Sequence, residues 1–132
     1  MNTELKNSEK TILTCIICPM GCQLEVTEET ESGTCSNYSV TGNSCSRGAQ
    51  YAQKELTNPT RTLTCTVAVR HGVRRLVPAK SVPDVPRDRQ LECMEIIRRL
   101  SAEAPVHTGD VLCADILNTG ADIIACDDIP AC

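Results

Sequence analysis

The chain has 132 residues, enough for one ordinary domain or two small ones. Its net charge of −4 disfavours nonspecific binding to nucleic acids, because the phosphates of the nucleic acid would repel it. No stretch approaches the roughly 18 consecutive apolar residues that span a bilayer. The N-terminus also lacks the basic and then apolar pattern of a secretion signal. These features predict a cytoplasmic protein with no membrane span.

The composition combines ten cysteines with only two aromatic residues, Tyr38 and Tyr51. Aromatic side chains usually dominate the energetics of a core. Aliphatic side chains, and a metal centre, are therefore expected to supply that stabilisation here. In a cytoplasmic protein, clustered cysteines more often bind metal or carry out redox chemistry than form disulfides.

Charge is segregated along the chain. Residues 46–100 carry eleven bases and five acids, whereas residues 101–132 carry six acids and no base. This asymmetry is typical of a docking face for an acidic partner. It is equally typical of charges on solvated faces, and the sequence leaves both interpretations open.

The chain is predicted to comprise a mobile N-terminus over residues 1–10, a cysteine-rich cluster-binding segment over 11–58 and a small α+β segment over 59–132. Within the second of these, the patterns predict a strand over residues 23–27, an acidic turn over 28–33, a strand over 38–41 and a helix over 47–56. This section has little apolar material, so we expect it to need a metal centre for stability.

The third segment follows the pattern of an ordinary small α+β unit. Strands are predicted over 62–70 and 73–77, joined by a two-residue turn at His71-Gly72 in which Gly72 supplies a positive φ. A helix is predicted within 87–103, and two further strands over 111–117 and 121–126. The predicted fold class is therefore α+β: a small N-terminal cluster-binding hairpin and helix, packed on a small mixed β-sheet with one main helix.

Three cysteines are spaced as C-x2-C-x3-C at Cys15, Cys18 and Cys22, and Cys45 follows after an interval long enough for a hairpin. Such short gaps bring three sulfurs towards one centre. Four thiolates suit either a cubane iron–sulfur cluster or a tetrahedral zinc ion. Zinc sites more often pair their ligands two and two, so the spacing favours one four-iron–four-sulfur cluster. The alternative is one zinc ion in a structural interaction module without redox activity.

Six cysteines lie outside this motif: Cys35, Cys65, Cys93, Cys113, Cys126 and Cys132. Cys35 is an alternative fourth ligand. The next three lie within predicted elements and are expected to be small buried apolar residues. The last two flank an acidic tail, and their role stays open among a redox pair, a further metal site and incidental thiols.

The segment Cys15-x2-Cys18-Pro-x-Gly-Cys22, followed by Gly42-Asn-Ser-Cys45-Ser-Arg47-Gly48, resembles the N-terminal segment of molybdopterin oxidoreductases. In that family four cysteines bind a four-iron–four-sulfur cluster, and a basic residue two places after the last cysteine lies between cluster and pterin. The resemblance implies that Arg47 occupies the position of this basic residue and is a cofactor-binding residue. It covers only about residues 12–50, so neither molybdenum binding nor reductase activity is transferred.

The whole chain, including Pro59, Arg61, Leu63 and the Gly109-Asp110-Val111 to Gly120 region, resembles a small bacterial and archaeal family of four-cysteine proteins of unassigned function. Members are commonly encoded beside FAD-dependent dehydrogenases of the glycerol-3-phosphate type and a second, NAD(P)-linked flavoprotein. The resemblance implies an accessory subunit that relays single electrons for a flavin-dependent oxidoreductase complex.

Neither histidine lies near a motif and there is no Gly-rich phosphate loop, so no independent catalytic site is predicted.

Overall fold

The computed structural model of the chain describes residues 10–30 and 36–132. It combines strands and two α-helices, which confirms the predicted α+β class. The chain divides between Asn58 and Pro59 into two compact units. None of the helices in these ranges has the length and the apolar character that crossing a bilayer requires.

The first unit contains a three-stranded antiparallel sheet with the order β1-β2-β3. Its strands are β1 (Lys10–Thr14), β2 (Gln23–Thr30) and β3 (Ser36–Thr41). Side chains alternate between the two faces of a strand, and this period buries Leu24 and Val26 on one face of β2.

Two details of the sequence prediction are corrected here. The strand β2 continues through residues 28–30, which were predicted to form a turn, because Glu28 and Glu29 keep their side chains exposed while their backbones pair with β3. Lys10, the last residue of the predicted mobile N-terminus, pairs with Thr27 as the first residue of β1. Residues 1–9 and 31–35 lie outside the described residues.

Helix α1 (Ser46–Thr57) agrees with the predicted helix to within one residue at each end. It buries Gly48 and Ala52, and Ala52 joins a small core with Cys15, Leu24 and Val26. Both tyrosines of the chain are partly buried against this core. The first unit therefore has few fully buried side chains.

The second unit contains a mixed sheet, as predicted. Its five strands have the order β8-β5-β6-β10-β9, and a separate two-stranded pair is formed by β4 and β7. The bounds are β4 (Thr60–Arg61), β5 (Thr64–Arg70), β6 (Leu76–Val82), β7 (Val85–Pro86), β8 (Ser101–Glu103), β9 (Val111–Cys113) and β10 (Asp122–Ala125). Neighbours in the sheet are antiparallel except β5 and β8, which are parallel.

The main helix of the second unit, α2 (Gln90–Ile97), follows a 3₁₀ turn at Arg87–Arg89 and buries Cys93 and Ile97. The helix predicted within 87–103 is confirmed, but it ends at Ile97, and residues 101–103 form β8 along the edge of β5. That pairing forms hydrogen bonds between backbone groups of residues far apart in sequence. The helical periodicity of one segment does not reveal such distant partners. The buried side chains of this core are aliphatic residues and Cys93.

The turn predicted at His71-Gly72 is also wrong in its details. The connection between β5 and β6 spans residues 71–75, and His71, with φ of 57°, is the residue in the left-handed region. Gly72 is needed for space instead. A Cβ atom there would lie 2.8 Å from Ile129 Cγ2 and 2.9 Å from Val69 Cγ1.

Several strand boundaries of the second unit differ from the prediction; β5, predicted over 62–70, begins at Thr64. The strand predicted over 73–77 is β6, which begins at Leu76 and runs across Pro78, whose carbonyl accepts a hydrogen bond of 2.8 Å from the Cys126 N–H. The strand predicted over 111–117 ends at Cys113, because Asp115 and Leu117 adopt positive φ and turn the chain. The strand predicted over 121–126 is confirmed as β10.

The charges that are segregated in sequence meet within the second unit. Arg74 Nη2 lies 2.7 Å from Asp127 Oδ2, and Arg70 Nε lies 3.7 Å from Glu103 Oε1. Bases from the middle of the chain are thus paired with acids from its last third. These pairs are solvent-exposed, so each contributes little to stability.

Candidate metal centre

The first three cysteines of the motif lie on a tight loop between β1 and β2. The Cys15 N–H donates a hydrogen bond of 2.8 Å to the carbonyl of Cys22, which closes the base of this loop. Gly21, with φ of 62°, supplies the left-handed residue just before Cys22. Cys15 is buried, whereas Cys18 and Cys22 are half-buried.

The fourth cysteine is positioned by the short segment that joins β3 to α1. Gly42 has φ of 88°, and a Cβ atom there would collide with the carbonyl oxygen of Gln23, so only glycine fits. The Asn43 side chain donates a 2.9 Å hydrogen bond to the carbonyl of Cys45. Gly48, in the first turn of α1, lies so close to Asn43 that its Cβ would be 2.8 Å from that of Asn43. These contacts fix the path of the chain at Cys45.

The structure brings all five predicted site residues to one cavity. It has a volume of about 140 Å³, and the residues that line it include the four cysteines of the motif and the arginine that follows them: Cys15, Cys18, Cys22, Cys45 and Arg47. That volume is several times the roughly 30 Å³ that a water molecule occupies in the liquid, and is close to the roughly 150 Å³ of an engineered cavity that accepts benzene. The cavity therefore has room for a compact group of several atoms.

The donor set fits a cluster. Four cysteine thiolates are the usual ligands of a four-iron–four-sulfur cluster, and they also suit tetrahedral zinc. Within residues 10–30 and 36–132, no group of three or more His, Cys, Asp or Glu side chains is drawn together closely enough to hold a single metal ion.

Cys45 lies at the N-terminus of α1 and is exposed. Its sulfur makes no capping hydrogen bond of standard geometry, but the Arg47 side chain and then the backbone N–H groups of Arg47 and Gly48 lower the pKa of the Cys45 thiol. The thiols in turn raise the pKa of Arg47, with Cys45 contributing most and Cys18 and Cys15 less. Arg47 thus lies in the electrostatic field of three of the four cysteines.

Ser44 was not singled out by the sequence reasoning. Its Oγ lies 3.1 Å from the Sγ of Cys22, so the contact links the Cys45 segment to the three-cysteine loop. The Ser44 side chain, followed by its backbone, lowers the pKa of the Cys22 thiol. The sequence feature that could have indicated Ser44 is its position next to Cys45, in the segment that resembles molybdopterin oxidoreductases.

The other five cysteines that the structure describes belong to the second unit. Cys93 is buried and Cys65 and Cys113 are half-buried against the core of the second unit, and burial raises the pKa of all three thiols. Cys126 and Cys132 are exposed. All nine cysteines in the described ranges are free, and Cys35, the alternative fourth ligand, lies outside those ranges.

Two apolar side chains stand at the rim of the cavity. Ile17 and Met20 belong to the three-cysteine loop and line the cavity, yet they remain 50% and 74% exposed. Pro19 between them is exposed as well. The approach to the thiols from solvent is therefore flanked by apolar side chains.

Comparison with known proteins gives a family match over residues 46–127, more than half of the chain, to the family described as "Protein of unknown function (DUF1667)". The chain belongs to this family. The DUF1667 match begins immediately after Cys45, so it includes Arg47 and Gly48 but none of the four clustered cysteines.

The fold of this DUF1667 protein is similar to that in the NMR structure of Clostridium perfringens protein CPE0013. The two are 31% identical, the match covers 55% of this chain and 87% of the other, and the TM-score is 0.51. None of the curated proteins compared with the chain matches it.

Proposed function

We propose that this protein is an accessory electron-transfer subunit that holds one four-iron–four-sulfur cluster and serves a flavin-dependent oxidoreductase. Cys15, Cys18, Cys22 and Cys45 are the ligands. The observation that carries the proposal is that all four cysteines line one cavity, although 22 residues separate the last two in sequence.

When bound, such a cluster takes up and gives up one electron at a time, whereas flavins and nicotinamides handle electrons in pairs. The residues of this chain bind it and balance its charge. Four thiolates around one centre repel one another, and the Arg47 guanidinium offsets part of that negative charge from its place beside Cys45.

The energetics of the first unit also favour a bound metal centre. Among the residues that the structure describes, its apolar core has four buried side chains: Cys15, Leu24, Val26 and Ala52. Small units with so little buried surface usually need a disulfide or a metal, and the described cysteines are free. The free energy of binding a metal centre to such a site also stabilises the folded state, so a cluster would supply the missing stabilisation.

The partner class follows from the family resemblance noted in the sequence, which associates such proteins with FAD-dependent dehydrogenases. The apolar rim formed by Ile17 and Met20 supports contact with another protein close to the thiols. Redox complexes that exchange electrons are often held by small interfaces.

The proposal is tested by reductive titration of protein purified without oxygen. We expect a visible absorption band that bleaches on addition of dithionite, with uptake of about one electron per chain. The band should return when oxidised FMN is added. The Cys45→Ser variant should lose both the band and the electron uptake.

The matched control is Cys126→Ser, which removes an exposed thiol of the second unit. It should titrate like the parent protein. A colourless parent protein that contains about one zinc ion per chain and takes up no electrons would refute the proposal and establish the structural zinc module instead.

A further inference from the structure

The Ser44 hydroxyl lies in the segment that joins β3 to α1, between residues whose contacts fix the path of the chain. Gly42 turns the chain where a side chain would collide with the Gln23 carbonyl, and Asn43 binds the Cys45 carbonyl. Between Asn43 and Cys45, Ser44 Oγ is held 3.1 Å from Cys22 Sγ.

The direction of this hydrogen bond is fixed once Cys22 is a ligand. A ligating cysteine is a thiolate and carries no proton, so its sulfur can only accept. The Ser44 O–H must therefore donate. Hydrogen bonds to an ionised partner are stronger than those between neutral groups, and their strength grows with the negative charge on the acceptor.

We propose that Ser44 is a positioning residue that sets the reduction potential of the metal centre through its hydrogen bond to the Cys22 sulfur. This inference rests on the proposed function. The reduced form carries one more negative charge than the oxidised form, so a donor aimed at a ligand sulfur stabilises the reduced form more. Hydrogen bonds to the sulfurs are among the factors that set the potential of iron–sulfur centres.

The test is a potentiometric titration, monitored by electron paramagnetic resonance, of the parent protein and three variants purified without oxygen. In Ser44→Ala the ratio of reduced to oxidised centres at a fixed ambient potential should fall by up to about tenfold, which for a one-electron couple corresponds to about 59 mV. Ser44→Thr keeps a hydroxyl and should restore the parent value. Ser46→Ala removes an exposed serine hydroxyl two residues away and should leave the potential unchanged.

Iron and sulfide contents are measured on the same samples. If the parent protein holds iron and sulfide but Ser44→Ala has the parent potential, the inference is overturned and the proposed function stands. If Ser44→Ala holds no cluster, the inference is also overturned, because the hydroxyl would then be needed for binding and not for tuning. If the parent protein itself holds neither iron nor sulfide, the proposed function has failed.

Discussion

The backbone N–H of Cys15 donates a 2.8 Å hydrogen bond to the carbonyl oxygen of Cys22, so the first and third cysteines of the motif are tied together at the base of one loop. This bond makes the loop a closed unit that starts where β1 ends and finishes where β2 begins. Only Cys45 then has to be brought in from elsewhere in the chain, and Gly42 is the residue that allows it.

Gly42→Ala should destabilise the first unit strongly. The new Cβ would collide with the Gln23 carbonyl oxygen and the residue would be held at positive φ, so we expect a loss of about 3 kcal/mol or more. Gly21→Ala is the matched control in the same unit, because it has positive φ but open space around its Cβ, and it should lose only about 1–2 kcal/mol.

The readout for this pair is tyrosine fluorescence during denaturant unfolding. Tyr38 and Tyr51 are the only aromatic residues of the chain, and both are partly buried in the core of the first unit. Their signal therefore reports on that unit alone. Equal midpoints for the two variants would show that the contact with Gln23 does not constrain the segment.

The Arg47 side chain should control the reactivity of Cys45 in the metal-free protein. Because Arg47 lowers the pKa of the Cys45 thiol, more of that thiol is ionised near neutral pH, and the thiolate is the form that reacts with iodoacetamide. In Arg47→Ala the rise of the Cys45 labelling rate with pH should move to higher pH, as measured by mass spectrometry of peptides. Lys54→Ala removes a cation near the other end of α1 and should leave the Cys45 profile in place. An unchanged profile in Arg47→Ala would contradict the contact.

The ion pair between Arg74 and Asp127 should be visible in the titration of the carboxyl group. The Arg74 side chain holds the pKa of Asp127 below its usual value near 3.9, so the pair stabilises the fold above that value and the contribution is lost as pH falls through the lowered pKa. In NMR titrations, Arg74→Ala should raise the Asp127 pKa towards the usual value. Arg75→Ala, which removes the neighbouring cation, should change it much less.

Ser81 is a buried polar residue of the second unit, and its hydroxyl accepts a 2.8 Å hydrogen bond from the Leu63 N–H. Ser81→Ala leaves that buried N–H without its acceptor, which should destabilise the second unit by about 1–3 kcal/mol in thermal or denaturant unfolding followed by circular dichroism. Ser101→Ala removes an exposed hydroxyl and should change stability by less than about 0.5 kcal/mol. A Ser81→Ala protein as stable as the parent would show that water satisfies the Leu63 N–H.

The sequence predicts best those features that repeat locally. The period-2 burial of Leu24 and Val26 and the extent of helix α1 were both predicted from nearby residues. The strand β8 was not, because its three residues gain their partners from β5, about thirty positions away. The same holds for the left-handed residue at His71, where the space taken by Ile129 and Val69 decides the backbone path.

The cysteine motif and Arg47 could be selected from spacing and resemblance, since those residue types carry their own chemistry. Ser44 could not, because serine is common in loops and nothing in its neighbours indicates that its hydroxyl faces Cys22. Its place depends on the joint geometry of Gly42, Asn43 and the loop closed by Cys15. A contact to a ligand cysteine, such as the one that Ser44 makes with Cys22, can be identified only from the three-dimensional structure.

The most direct test of the central claim is the content of iron and acid-labile sulfide in protein purified without oxygen, compared between two cysteine variants. Cys93→Ala changes a buried thiol in the core of the second unit, and it should retain about four iron and four sulfide per chain, like the parent protein. Cys18→Ser should lose both and should loosen the first unit, because binding there is also folding free energy. Equal iron and sulfide in the two variants, or loss of both in Cys93→Ala alone, would contradict the assignment of the ligands.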